Sequence, residues 1–296
     1  MSQALPARRQ DIEAVRVLAA FGIVWFHAHA PQLALGYAGL VVFLVLSVWL
    51  SAGSRQGWAA VRQRARRLLV PWVLWFVVYG WYVHTLHLPV VDTRHGLLAG
   101  VLAGSNIHLW YLPFMFGLLL VVDALRRVLP ARGLALAAGL LATALALGIP
   151  LWRPLTLGTF YPLRQWADAA LPVSYGLMLL GVGALTPRQR AAALAGPVLA
   201  AALVAPLESF GLTCAIGLGV CAWLAWRPAP APGGWSVQGL SDLCMGIYLV
   251  HILVLEALLL RTPLRGALLA VAVFVVSALL VAGGRALAPR WRGWWS

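Results

Sequence analysis

The 296-residue chain contains no lysine, and its 22 basic residues, all arginine, face only 8 carboxylates. Charged residues make up 10% of the chain and hydrophobic residues 62%. So little charge excludes a soluble domain of this length, which normally carries about 25% charged residues. The mean hydropathy of +0.87 points the same way. No long polar stretch remains for a second folded domain, so residues 1–296 are expected to form one membrane-embedded unit. Three cysteines, Cys214, Cys221 and Cys244, all lie in apolar segments. That odd count excludes a disulfide framework and offers no metal-ligand spacing, and buried apolar roles are expected for all three. A small-residue cleavage site is missing after the first apolar run, so a span is expected there rather than a cleaved signal. No repeat period is visible.

Apolar runs of roughly 18–22 residues suit a hydrocarbon core of ~30 Å. They fall near 13–30, 36–53, 68–88, 106–125, 133–151, 170–185, 191–207, 210–226, 240–260 and 266–284. The expected fold is therefore all-α, a polytopic bundle of about ten transmembrane helices. The stretch 86–107, with "GLLAGVLAG", fits a re-entrant or surface helix instead.

A net charge of +14 raises nucleic acid as a partner, but the arginines sit in short loops between apolar runs. That distribution is topological and faces lipid, not nucleic acid. With the amino terminus cytoplasmic, 16 arginines fall in inside loops and 5 outside: Arg94, Arg153, Arg164, Arg261 and Arg265. The remaining one, Arg16, lies within the first span. Both termini are then cytoplasmic. Tryptophans near span ends, such as Trp72, Trp152, Trp226 and Trp291, read as an interfacial belt. "RPAPAPGG" from Arg227 reads as a cytoplasmic linker.

Ionisable groups inside spans mark function by default. The first span, "DIEAVRVLAAFGIVWFHAHAP", holds Arg16 and His27 eleven residues apart. Eleven residues are three turns plus ~20°, so both share one face, about 16 Å apart along the axis. Glu13 stands one turn before Arg16 and can pair with it. In "SDLCMGIYLVHILVLEALLL", Ser241, Cys244, Tyr248 and His251 fall within a stripe of about 80°. Interhelical hydrogen bonding is the plain alternative for such a stripe. "RQRARRLLVPW" places Arg62, Arg64, Arg66 and Arg67 before the third span, as topology signals or as a cradle for the phosphates of a cytosolic cofactor. "NIHLWYLPF" places His108, Trp110 and Tyr111 at the outer mouth of the fourth span.

These residues resemble the acyltransferase 3 family of integral-membrane acyltransferases over most of the chain. The first span matches through Glu13, Arg16, Ala19 and His27. "VVFLVLSVWLSAG" resembles the second-span pattern around Phe43 and Ser47, "RARRLLVPWVLW" the third-span start with Arg66, Arg67 and Pro71, "HLWYLPFMF" the fourth-span signature around Trp110, and "MGIYLVHILVL" the late signature with Tyr248 and His251. Glu13 stands where the family usually has Asp, and Val48 where glycine is common.

The resemblance implies an O-acyltransferase of a bacterial inner membrane. It moves an acyl group, most often acetyl, from cytosolic acyl-CoA to a hydroxyl of an extracytoplasmic carbohydrate. No tightly bound cofactor and no metal are implied. His27 is the expected general base, Glu13 holds Arg16, and Arg16 positions the donor. Arg66, Arg67, Ser47, Trp110, Tyr111, Tyr248 and His251 are the expected substrate contacts. A proton-coupled transporter is the competing class, because carriers also place His, Arg and Tyr at mid-membrane.

Overall fold

The computed structural model describes residues 9–53, 57–228 and 236–287. Most of the proline-rich linker, together with Arg8, Arg55, Arg290, Arg292 and Trp291, lies outside the described residues. All regular structure among the described residues is helical. The elements are α1 (Gln10–His27), α2 (Leu33–Trp49), α3 (Trp58–Thr85), α4 (Leu97–Ala103), α5 (Tyr111–Val128) and α6 (Ala131–Leu147). There follow α7 (Ile149–Leu157), α8 (Leu163–Gly181), α9 (Pro187–Val204), α10 (Ser209–Trp226), α11 (Gln238–Arg261) and α12 (Gly266–Leu287).

Each of the ten expected spans falls on a helix, but the count of ten membrane crossings is not established. Among the described residues, six helices are long and apolar enough to cross a membrane: α2, α3, α8, α10, α11 and α12. The bent pair α6 and α7 makes up to seven. The shortfall is compositional. Helices α1, α5 and α9 each have 18 residues but carry charge, such as Glu13 and Arg16 on α1 and Arg126 and Arg127 on α5. The stretch 86–107 forms α4, whose 7 residues reach only ~10 Å and cannot cross.

Helix α2 is the hub, packed against α1, α8 and α10. Its close approach to α1 depends on absent side chains. A Cβ on Gly39 would stand 2.4 Å from the Ala19 carbonyl oxygen, and one on Gly36 2.9 Å from that of Gly22. Helix α1 also packs against α11 and α12. Helices α1 and α11 run side by side in the same direction: Gln10 accepts from the Val237 N–H at 3.1 Å, and His27 meets His251 with ring centroids 5.2 Å apart.

The arginines at one end of the bundle do more than bias topology. Arg9 donates to the Leu224 carbonyl (2.9 Å) and Arg190 to that of Ala225 (2.6 Å), both at the last turn of α10. Arg126 donates to the Ser51 and Ala52 carbonyls just past α2. Helix C-termini leave carbonyls without intrahelical partners and carry a partial negative charge, and guanidinium groups satisfy both. Arg64 is buried and pairs with Asp123 of α5 through two contacts of 2.5 and 3.2 Å, which ties α3 to α5.

The break between α6 and α7 bends the chain by 72°. Pro150 stands at the start of α7, where its fixed φ suits a first turn and its missing N–H costs nothing. The bend carries Arg153 onto the face of Phe210 of α10, with the guanidinium carbon 3.9 Å from the ring centroid.

Candidate functional site

Two cavities lie at opposite ends of the α1–α11 pair. The first, about 1220 Å³, is lined at the beginning of α1 by Arg9, Glu13 and Arg16, with Arg67 of α3, Asp242 of α11 and Arg285 of α12. The second, about 440 Å³, is lined at the end of α1 by Phe26 and His27, with Tyr37, His108, Trp110 and Tyr248. It also takes in Arg153, Arg164, Gln165 and Asp168 from α7 and α8.

In the Arg16 pocket, Glu13 is buried and its Oε2 receives two donors. Arg16 Nη1 donates at 2.9 Å, and the Ser241 hydroxyl of α11 donates to the same oxygen. Cys244, one turn on from Ser241, packs its thiol on the Arg16 carbonyl at 3.8 Å. Arg16 is thus held by one carboxylate while 28% of its side chain stays exposed to the cavity side. Arg67 is exposed, borders the same cavity, and makes no hydrogen bond or ion pair with a described residue. Arg66 is exposed and does not line the cavity, and Arg64 turns away to Asp123.

At the other end, side chains from α1, α3 and α11 and from the loop before α5 converge. His251 is fully buried and His108 nearly so (3% exposed), while His27 is half-buried and faces the cavity. The His108 and His251 ring centroids are 5.3 Å apart, and Tyr248 lies against both rings at 5.3 and 5.9 Å. His251 Nδ1 lies 2.6 Å from the Tyr248 carbonyl, which can only accept, so Nδ1 carries the proton. His108 Nδ1 is likewise 3.0 Å from Asn106 Oδ1. Both leave Nε2 buried without a partner. The Tyr248 hydroxyl donates to the His108 carbonyl, and the Tyr79 hydroxyl of α3 donates to that of Leu249 at 2.8 Å, so α3, α11 and the loop before α5 are fixed to one another.

Tyr111 connects the two ends. It opens α5 beside Tyr248, with centroids 5.5 Å apart, and its hydroxyl reaches Ser47 Oγ of α2 at 3.0 Å. Trp110 packs on Tyr111 and Phe114 and lines the His27 pocket.

Of the residues singled out by sequence, His27, Trp110, Tyr111, Tyr248 and His251 come together, with Ser47 reached through Tyr111. Glu13, Arg16 and Arg67 gather at the opposite end, and Arg66 joins neither group. Sequence reasoning missed the second wall of the His27 pocket: Arg153, Arg164, Gln165, Asp168, Tyr37 and Phe210. The signal was present in two arginines on the side where arginine is scarce. The three cysteines are buried and free, and among the described residues no group of His, Cys, Asp and Glu is arranged to hold a metal ion.

The profile of an acyltransferase domain, that of the acyltransferase 3 family, matches residues 9–283, nearly the whole chain. No curated protein and no solved structure matches it. The chain belongs to the acyltransferase 3 family, which takes the enzyme side of the choice that an intramembrane histidine and arginine leave open.

Proposed function

We propose that this member of the acyltransferase 3 family transfers an acyl group, acetyl by family expectation, from cytosolic acyl-CoA to a hydroxyl of a carbohydrate on the far side of a bacterial inner membrane. One observation carries the reading. A single helix pair has a wide cationic pocket at one end and a small histidine-bearing pocket at the other, about 16 Å along α1. The wide pocket suits an anionic, bulky donor: Arg67 and Arg16 offer guanidinium groups, which match phosphate oxygens two at a time. The small pocket falls in the size range of small-molecule sites and mixes rings with a few polar groups.

In this mechanism the thioester arm of the donor enters past Ser47 and Tyr111 toward the histidine cluster. The acceptor hydroxyl sits against His27, which takes its proton as the oxygen attacks the thioester carbonyl. The new C–O bond forms, the C–S bond breaks, and the proton held on His27 returns to the departing thiolate. Glu13 holds Arg16, and Arg16 with Tyr111 orients the donor. Tyr248 and His251 keep His27 in place. The loop-charge bias supports placing the Arg16 pocket and both termini on the cytoplasmic side.

Inside-out membrane vesicles containing the protein test the reading. Acetyl-CoA labelled in the acetyl group is supplied to the exposed cytoplasmic face, and label is sought on lumenal glycan. The expected result is lumenal label with the wild type and none with empty vesicles. Label confined to the outer face would overturn the two-sided arrangement.

A further inference from the structure

Two of the five arginines outside the positive-inside pattern, Arg153 and Arg164, line the His27 pocket. Arg153 Nη1 is 3.2 Å from Asp168 Oδ1, and the two side chains are only 11% and 6% exposed. The Tyr37 hydroxyl approaches Asp168 Oδ2 at 3.5 Å. Gln165 is buried at 7% exposure and its Oε1 has no partner. Arg153 Nε and Nη1 make no hydrogen bond. Phe210 lies under the Arg153 guanidinium and edges Tyr37, with ring centroids 6.2 Å apart. Through Tyr37 and Phe26 the wall continues to His27, with centroid steps of 4.8 and 5.4 Å.

A buried ion pair is weak as a stability device, and unsatisfied buried polar atoms are destabilising. Around a cavity, they are what a polar ligand completes. The charges are also unequal. Asp168 balances Arg153. Glu208 lies nearby, but its carboxylate accepts from the Phe210 N–H at 3.4 Å at the start of α10 and does not line the cavity. Arg164 is half-buried and makes no side-chain hydrogen bond or ion pair with a described residue. A guanidinium so placed is completed by an anion, and a neutral sugar would leave it unpaired.

We propose that this wall is the acceptor-recognition subsite and that the acceptor is an acidic glycan, one with a carboxylate or phosphate close to the accepting hydroxyl. The proposal rests on the His27 pocket being the acceptor side. Arg164 pairs with the anion, Arg153 is held by Asp168 as its second donor, and Gln165 and Tyr37 bond neighbouring hydroxyls.

Binding, which needs no turnover, tests it. Protein in lipid nanodiscs is titrated by calorimetry with methyl glucuronide, glucose 6-phosphate and methyl glucoside. Wild type should bind at least one anionic sugar about tenfold more tightly than methyl glucoside, the scale of one charge-assisted contact. The two anionic probes separate carboxylate from phosphate. Arg164→Gln should abolish that preference, and because the Arg164 side chain has no partner among the described residues, its replacement strands no other group. His27→Ala should keep it, so failure of the transfer mechanism would not mimic failure of this subsite. The double variant Arg153→Gln/Asp168→Asn, which leaves no lone buried charge, should weaken binding of all three sugars. Equal affinities in wild type, no binding by either anionic sugar, or a preference surviving Arg164→Gln would overturn the proposal.

Discussion

The two ends of α1 handle arginine in opposite ways. At the Arg16 end, guanidinium groups are abundant, and several are engaged with helix-terminal carbonyls or with carboxylates, as in Arg9, Arg16 and Arg190. The cavity there is wide, about 1220 Å³, and Arg67 reaches it from an exposed position. At the His27 end, arginine is scarce, yet two of the few present line a cavity of about 440 Å³ among rings and histidines. Part of the arginine at the Arg16 end is thus architecture, because helix C-termini there have carbonyls to satisfy. Scarce arginine inside a pocket has no such task. The number of arginines in a region is a poorer guide to ligand binding than whether each already has a partner.

The largest effect is expected at His27. His27→Ala should lower transfer by about 10²–10⁴-fold, the usual contribution of a positioned base, while KM for acyl-CoA stays unchanged. Steady-state kinetics in vesicles checks both numbers. If instead the donor KM rose and kcat held, the two ends would not be separate sites. If activity survived, His108 or His251, each with an unpartnered Nε2, would take the base role.

The next effect is structural and belongs to the Arg16 end. Asp123→Ala leaves Arg64 as a buried charge without its carboxylate. Losing one member of such a pair costs about 3–5 kcal/mol. Thermal unfolding in detergent, followed by tryptophan fluorescence, should show a large drop. Asp123→Asn with Arg64→Gln, which removes both charges, should recover most of it. Arg67→Gln should do the reverse: fold normally and raise KM for acyl-CoA by roughly tenfold, with kcat unchanged, since a hydrogen bond to a charged group is worth about 1.5–3 kcal/mol and exposure places this one at the low end. Raising ionic strength should shrink the difference between wild type and variant.

How far the sequence shows this division follows from how each side chain is placed. Glu13, Arg16 and His27 share one helix, and Tyr248 and His251 another, so helical spacing alone puts each set on a face. The ten helices were also visible as apolar runs. Their number as membrane crossings was not, because hydropathy weighs charges such as Arg16, Asp123 and Arg188 without knowing whether a neighbouring helix shields them. The wall of Arg153, Asp168 and Phe210 was out of reach for a related reason. It joins α7, α8 and α10, which no periodicity connects, and it depends on the 72° bend after α6. Arg153 and Arg164 read as loop charges until that bend turns one of them inward.

The smallest effect is expected at Arg94. Like Arg153 it belongs to the sparse arginines of the His27 side, and like Arg153 it pairs with an aspartate, here Asp92 at 2.6 Å. The difference is exposure: 82% of the Arg94 side chain meets solvent, against 11% for Arg153. Hydrogen bonds from Arg94 hold the Asp92 carboxyl down to about 2, from an ordinary 3.8. A depressed carboxyl stabilises the fold above its ordinary range and loses that contribution as pH falls through the interval toward 2. Water and salt screen an exposed pair, so little remains even at neutral pH. Arg94→Ala should therefore leave the unfolding midpoint at pH 7 within the error of the melt and leave both transfer and sugar binding intact. If Arg94→Ala instead weakened sugar binding as much as Arg164→Gln, burial would not separate the arginines that bind from those that only sit on the surface, and the pocket would have to extend over the loop before α4.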